Sequence, residues 1–217
     1  MASDRPLRYK QGPIRHDDDG ASVITLPQIY LIRHGETAWS LSGQHTGTTE
    51  VDLTENGQEQ ALRLMSRLEK VEFSHVLVSP RARAQQTCDL AGLSSASQTE
   101  PKLAEWNYGE FEGKRSVDIR KDRPNWSIWD NGCPGGESPL QMSNRVDRLI
   151  AHLLTMHDKV ALFAHGHLGA ALAARWLGLP ISAGRHFVLH PASVSILGHV
   201  DNHPAKRVIE LWNETVA

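Results

Sequence analysis

The chain has 217 residues, 40% hydrophobic and 22% charged, proportions that suit one compact α/β domain and exclude wholesale disorder, collagen-like repeats and coiled coil. Its 23 lysines and arginines against 25 acidic residues leave a formal charge of -2, without the basic excess that displacing counterions from nucleic acid requires. Cys88 and Cys133 lie outside any CxxC pattern, no apolar run approaches the roughly 20 residues of a membrane span, and the N-terminus lacks the basic-then-apolar order of a signal peptide. A soluble protein of the reducing cytoplasm is expected, with neither nucleic acid nor membrane as partner and a homodimer left open.

Residues 1–26 mix Pro6, Gly12, Pro13 and Gly20 with the charged run Arg15-His16-Asp17-Asp18-Asp19 and show no apolar period, which reads as a flexible N-terminal tail. His16 beside three aspartates reads as a solvated charge run in preference to a metal site. From residue 27 to 217 a single domain is expected. Apolar strand-like runs, Ile29–Ile32, Val76–Val78 and Val160–Ala164, alternate with amphipathic stretches at 54–69, 80–91, 138–156 and 168–177. That order predicts a three-layer α/β/α sandwich with a largely parallel sheet.

The boundaries agree with it. Thr54 precedes a stretch carrying Ala61, Leu62, Met65 and Leu68, as an N-cap precedes an apolar helical face. Ser79-Pro80 pairs an N-cap with proline at the first helical position, and Ser138-Pro139-Leu140-Gln141 is a capping box with the same proline placement. Between 105 and 137 the periodicity fails, and Trp106, Phe111, Trp126, Trp129 and several glycines predict an irregular excursion over the active-site face, with Trp126 and Trp129 packed in the core.

Each apolar run ends in reactive side chains: Ile32 leads into Arg33-His34-Gly35, Val78 into Ser79-Pro80-Arg81-Ala82-Arg83, and Ala164 into His165-Gly166-His167. If the runs are parallel strands, all three clusters share the carboxyl edge of one sheet, where open α/β folds bind ligands. Taken singly, an Arg-His-Gly turn or a strand-end histidine carries no chemistry; their convergence does. Guanidinium forks, imidazoles and helix N-termini together suit a phosphoryl group, and Gly166 suggests close approach of the backbone to an anion in preference to metal chelation by His165 and His167. To attack phosphorus, His34 must be neutral, and a positive charge ~4 Å away disfavours imidazolium by up to roughly 4 kcal/mol at an effective dielectric of 20. The acids that balance these cations are expected elsewhere.

Leu31 to Trp39, which includes Arg33-His34-Gly35-Glu36-Thr37, resembles the signature of the histidine phosphatase superfamily, in its phosphoglycerate mutase-like branch. Three further segments agree in order: Ser79 to Thr87 is similar to the second-arginine segment, Leu103 to Gly113 to the proton-donor segment, and Phe163 to His167 to the second-histidine segment. The resemblance covers residues 28–200 and implies a phosphoglycerate mutase-like fold. It implies His34 as the nucleophile that becomes phosphohistidine, with Arg33, Arg83 and His165 binding the transferred phosphoryl. Glu105 would protonate the leaving alkoxide and then deprotonate water. No metal and no cofactor is implied, the arginines supplying the charge.

Within the family, the length and the compact excursion favour a phosphatase over a mutase, and Trp126 to Ser138 with Glu105-Trp106 is similar to sugar-phosphatase members, sedoheptulose bisphosphatase-like and glucosyl-phosphoglycerate phosphatase-like. Where those relatives have arginine five residues after the second histidine, Ala170 stands here, removing a clamp for a second phosphate or a carboxylate. Ser40 replaces a common mutase asparagine. Thr46, Gly47 and His167 are the remaining substrate-binding candidates, Thr46-Gly47 at positions where mutases offer backbone to substrate. The expected function is a metal-independent phosphomonoesterase for small phosphorylated metabolites, sugar phosphates first. Mutase-type phosphoryl transfer and a non-catalytic phospho-ligand binding protein remain the alternatives.

Overall fold

In the computed structural model, which describes residues 14–16 and 22–215, strand β3 (Gln28–Arg33) is the keystone. Its centre is buried on both faces, as expected for an unbroken apolar run in a parallel sheet. The six-stranded sheet has the order β5 (Ser97–Thr99), β4 (His75–Val78), β6 (Lys159–Ala164), β3, β7 (Ser193–His199) and β8 (Arg207–Thr215). The first four are mutually parallel, while β7 runs antiparallel to β3, and β8 antiparallel to β7. The sheet is thus largely parallel with an antiparallel flank that the sequence reading did not foresee.

Alternation along the strands divides the core in two. Ile29, Leu31, Leu77, Leu162 and Leu197 pack on one face with residues of α6 (Pro139–Leu153) and α7 (Gly166–Trp176). Tyr30, Ile32, Val76, Val78 and Phe163 pack on the other with α2 (Glu55–Leu68) and α3 (Ala82–Leu90). Three layers result.

Thr54 caps α2 through Gly57 N–H, and Ser138 with Gln141 closes the expected capping box on α6, Pro139 occupying the first turn. Three details depart from expectation. On α2 the buried positions are Gly57, Ala61, Leu64 and Leu68, whereas Leu62 and Met65 are 49% and 40% exposed; the spacing 57, 61, 64, 68 keeps one face toward the sheet. The N-cap of α3 is Arg81, two residues beyond Ser79. And the 105–137 segment is less irregular than its sequence, folding a 3-10 turn at Gly109–Phe111 and two short helices, α4 (Ser116–Asp122) and α5 (Ile128–Asn131). Its tryptophans carry it: Trp106, Trp126 and Trp129 are all buried, and Trp106 meets Trp129 edge-on at 5.6 Å.

In the segment read as a tail, β1 (Ile14–His16) and β2 (Ser22–Ile24) pair antiparallel; Asp17, Asp18 and Asp19 lie outside the described residues. Helix α1 (Ala38–Ser42) follows β3 behind a Thr37–Ser40 capping box. Among the described residues no helix is long and apolar enough to cross a membrane.

Candidate active site

Three strand ends build the site. Arg33 closes β3 in register with Ala164 of β6. Two backbone bonds extend the ladder, from His34 N–H to the Ala164 carbonyl and from Ser79 N–H to the Phe163 carbonyl, both 3.0 Å. Arg33, His34, Ser79 and His165 therefore lie along one row at the carboxyl edge.

The His34 ring is buried, with Nδ1 2.7 Å from the Gly35 carbonyl oxygen. A carbonyl only accepts, so Nδ1 carries the proton and Nε2 keeps its lone pair. Burial holds this imidazole well below its usual pKa of 6.5, and the charges of Arg33 and Arg83 push the same way. The sequence reading credited the arginines alone; desolvation is the larger cause. The next residue is packed without tolerance: a Cβ on Gly35 would stand 2.4 Å from the Gly57 carbonyl oxygen of α2.

Arg83 is fully buried and donates to the carbonyls of Thr46 (2.8 Å), Gly47 (3.2 Å) and Thr49 (3.2 Å), so the second arginine also ties down the 46–49 loop. Arg33 donates Nη1 to the Leu189 carbonyl. His165, fully buried, meets the His34 ring at 5.2 Å between centroids, and its Nε2 lies 2.6 Å from Ser79 Oγ. Burial, then Arg83, holds His165 well below 6.5. The unused helix-cap serine is thus a histidine partner. Three buried nitrogens in this group, Arg33 Nε, Arg83 Nε and His165 Nδ1, have no hydrogen-bond partner.

Glu105 enters from the opposite side. Its Oε1 accepts from Trp106 N–H (2.8 Å) and Leu168 N–H (2.8 Å), and its Oε2 from His167 N–H (2.9 Å). This corrects two expectations. Two amides in the first turn of α7, those of His167 and Leu168, are answered by a carboxylate of the protein itself, so these two are not anion donors. The balancing acid is also not elsewhere: Glu105 raises the pKa of both Arg33 and Arg83 against the burial that lowers them.

A cavity of about 370 Å³ opens over Arg33, His34 and Glu105. Thr46 and His167 line it; Gly47 does not, since its N–H is held by Glu112 (2.7 Å) and its carbonyl by Arg83. His167 Nδ1 lies 2.7 Å from the Tyr108 hydroxyl, and burial, with Arg33, pushes its pKa down to about 4. Sequence reasoning missed several wall residues: His45, stacked on Tyr108 at 4.6 Å, Ser116, and Arg185. His45 stands one residue before Thr46 and was within reach of the motif; Arg185 is more than a hundred residues from either, and only folding brings it in. Ala170 lines the cavity as well, and Arg185, paired with Asp130, supplies a guanidinium from another element. Among the described residues no group of three or more His, Cys, Asp or Glu side chains is placed to hold a metal ion.

An acid phosphatase of Mycobacterium tuberculosis is 42% identical over 79% of this chain and 86% of its own. The sedoheptulose 1,7-bisphosphatase of Saccharomyces cerevisiae is 35% identical over 71% of this chain and 69% of its own. The solved structure of an open reading frame product from Mycobacterium tuberculosis superposes with a TM-score of 0.80 at 38% identity, covering 88% of this chain and 98% of the other. Residues 29–215 match the histidine phosphatase superfamily, branch 1, and the chain belongs to that family as a histidine phosphatase hydrolase.

Proposed function

We propose that the protein hydrolyses phosphate monoesters of small metabolites, sugar phosphates first, through a phosphohistidine on His34. The observation that carries this reading is the bare His34 Nε2 among three buried, unpartnered nitrogens of Arg33, Arg83 and His165. Buried donors without partners cost about 1–3 kcal/mol each, and a phosphoryl group's equatorial oxygens would satisfy all three.

The neutral Nε2 lone pair attacks phosphorus in line, the P–O bond to the substrate breaks, and the departing alkoxide takes a proton from Glu105. Water then attacks the phosphohistidine, its proton passes to Glu105, and the P–N electron pair returns to Nε2. Arg33, Arg83 and His165 hold charge on the oxygens through both transfers, and because they are already fixed by Leu189, the 46–49 loop and Ser79, little reorganisation is needed.

Apart from Arg185, which is paired with Asp130, the remainder of the polar wall supports the substrate class. Ser40, Gln44, His45, Ser116, Tyr108 and His167 offer uncharged hydroxyl, amide and imidazole groups, and both imidazoles, held near pKa 4, are neutral at physiological pH. Such a wall fits a hydroxylated alcohol. The sedoheptulose 1,7-bisphosphatase relative is consistent with it.

The test is turnover of a panel of sugar phosphates, glycolytic acids and phosphoamino acids with chelator present, together with acid quench for labelled protein. Expected are release of inorganic phosphate unaffected by chelator, label on His34, and no turnover in H34N. Wild-type turnover in H34N would refute the mechanism, and accumulation of an isomeric phosphoester in place of phosphate would make the enzyme a mutase.

A further inference from the structure

We infer that Arg145 and Glu137, which do not line the cavity, are positioning residues for the proton-transfer step. This rests on the assignment of Glu105 as the general acid and base. Arg145 projects from α6 with its side chain 14% exposed. Its Nε and Nη2 grip the two carboxylate oxygens of Glu137 at 2.8 and 2.7 Å. Its Nη1 donates to the carbonyls of Lys102 (2.8 Å) and Ala104 (2.7 Å), and Nη2 also reaches the carbonyl of Glu105 itself (3.3 Å). Five oxygens thus match the five N–H groups of one planar fork, an arrangement lysine's three donors on a flexible stem cannot copy.

Glu137 completes the clasp from the other side. Its Oε2 accepts from Asn107 N–H (3.0 Å), its carbonyl from Trp106 Nε1 (2.9 Å), and its N–H donates to the Asn107 carbonyl (2.8 Å). Residues 102–107 leave a 3-10 turn at Pro101–Leu103 and have no strand partner of their own, so the backbone that carries Glu105 is held by this ion pair instead of by a ladder. At its other end the Glu105 carboxylate is pinned by the amides of Trp106, His167 and Leu168. The backbone is therefore fixed to α6 and the carboxylate chiefly to α7, with Trp106 N–H joining the two. Loosening the first changes where Glu105 delivers its proton while leaving the phosphoryl-binding residues, which contact neither Arg145 nor Glu137, in place.

That separation gives a readout that a merely structural role would not move. Proton donation matters when the leaving group is a strongly basic alkoxide and hardly at all for 4-nitrophenolate. The experiment measures the single-turnover rate of His34 phosphorylation by rapid acid quench, with 4-nitrophenyl phosphate and with glycerol 2-phosphate, for wild type, R145K and E137Q. Far-UV circular dichroism and binding of inorganic phosphate establish that each variant is folded. Expected for R145K is a loss of about tenfold or more with the alkyl ester and less than about threefold with the aryl ester, out of the 10²–10⁴ that a positioned acid supplies. E137Q, which keeps the shape and one acceptor, falls between and carries the same test if R145K does not fold. Equal losses with both esters, or none with either, would overturn the inference. A wild-type enzyme that forms no phosphohistidine would instead sink the assignment of His34.

Discussion

Replacing His45 by glutamine is expected to flatten the acid dependence of stability. The ring is 7% exposed, stacks on Tyr108 at 4.6 Å and 23°, meets Trp126 edge-on at 5.6 Å, and places Nε2 3.2 Å from Ser116 Oγ. Burial, followed by the nearby His167, lowers its pKa from 6.5 to about 4. Between those values the unfolded chain binds a proton that the folded chain refuses, so the contribution of the neutral ring is complete above pH 6.5 and is lost as the pH falls toward 4. At ~1.36 kcal/mol per pH unit the gap is worth about 3 kcal/mol, a large part of the 5–15 kcal/mol that ordinarily separates folded from unfolded domains. Urea unfolding of wild type and H45Q at several pH values from 7.5 to 4 gives the difference directly, since groups common to both cancel. The stability of wild type relative to H45Q is expected to fall by about 3 kcal/mol across that window, with most of the change below pH 6.5. A difference that stays constant with pH would refute the buried neutral ring.

Three further outcomes follow from the packing. Gly35→Ala drives a Cβ to 2.4 Å from the Gly57 carbonyl, so thermal unfolding should show a loss of about 1–3 kcal/mol together with reduced turnover, because His34 is the adjoining residue; an unchanged melting curve would mean that the two backbones can separate. Leu64→Ala, at a fully buried position, is expected to cost about 2–5 kcal/mol, whereas Leu62→Ala, 49% exposed, stays within about 0.5 kcal/mol; equal costs would contradict the α2 orientation. Arg83→Lys cannot hold the carbonyls of Thr46, Gly47 and Thr49 together, and calorimetry should find inorganic phosphate bound at least about tenfold more weakly, with unchanged binding refuting the role of the fork.

The strands that carry chemistry were readable because each is an unbroken apolar run ending in polar residues, and a run buried on both faces leaves little choice of element. Antiparallel β7 and β8 were not, since Arg207–Thr215 is only partly buried along its length and its pairing partner is fixed by the rest of the sheet. On α2, composition proposed Leu62 and Met65 for the core, but a helix can turn only one stripe inward, and Leu64 with Leu68 and Ala61 makes the narrower one. Ser79 looked like a cap because serine before proline usually is one; the competing partner, His165, lies 86 residues away and only the parallel pairing of β4 with β6 reveals it. Separation in sequence, here of 30 to 43 residues, also hid Arg145 and Glu137, whose value depends on which backbone groups they meet.

The two buried-site guanidinium groups carry a counter-charge of their own. Arg33 and Arg83 are cationic, Arg83 buried and Arg33 partly so, yet Glu105 sits close enough to act on both, and the first amide of α3 is already taken by Glu50 (2.9 Å) as those of His167 and Leu168 in α7 are by Glu105. Both helix N-termini thus turn part of their positive end to carboxylates of the protein. The side-chain nitrogens left without partners for an anion are Arg33 Nε, Arg83 Nε and His165 Nδ1. This division has a consequence for catalysis. In the proposed mechanism a proton on Glu105 tips the local balance toward the cations and favours the dianionic ester; once that proton goes to the leaving group, the carboxylate restores the balance and is placed to draw a proton from water. Under that mechanism one residue sets both the charge that binds phosphate and the charge that drives its hydrolysis, and its backbone is anchored to α6 while its carboxylate is anchored to α7.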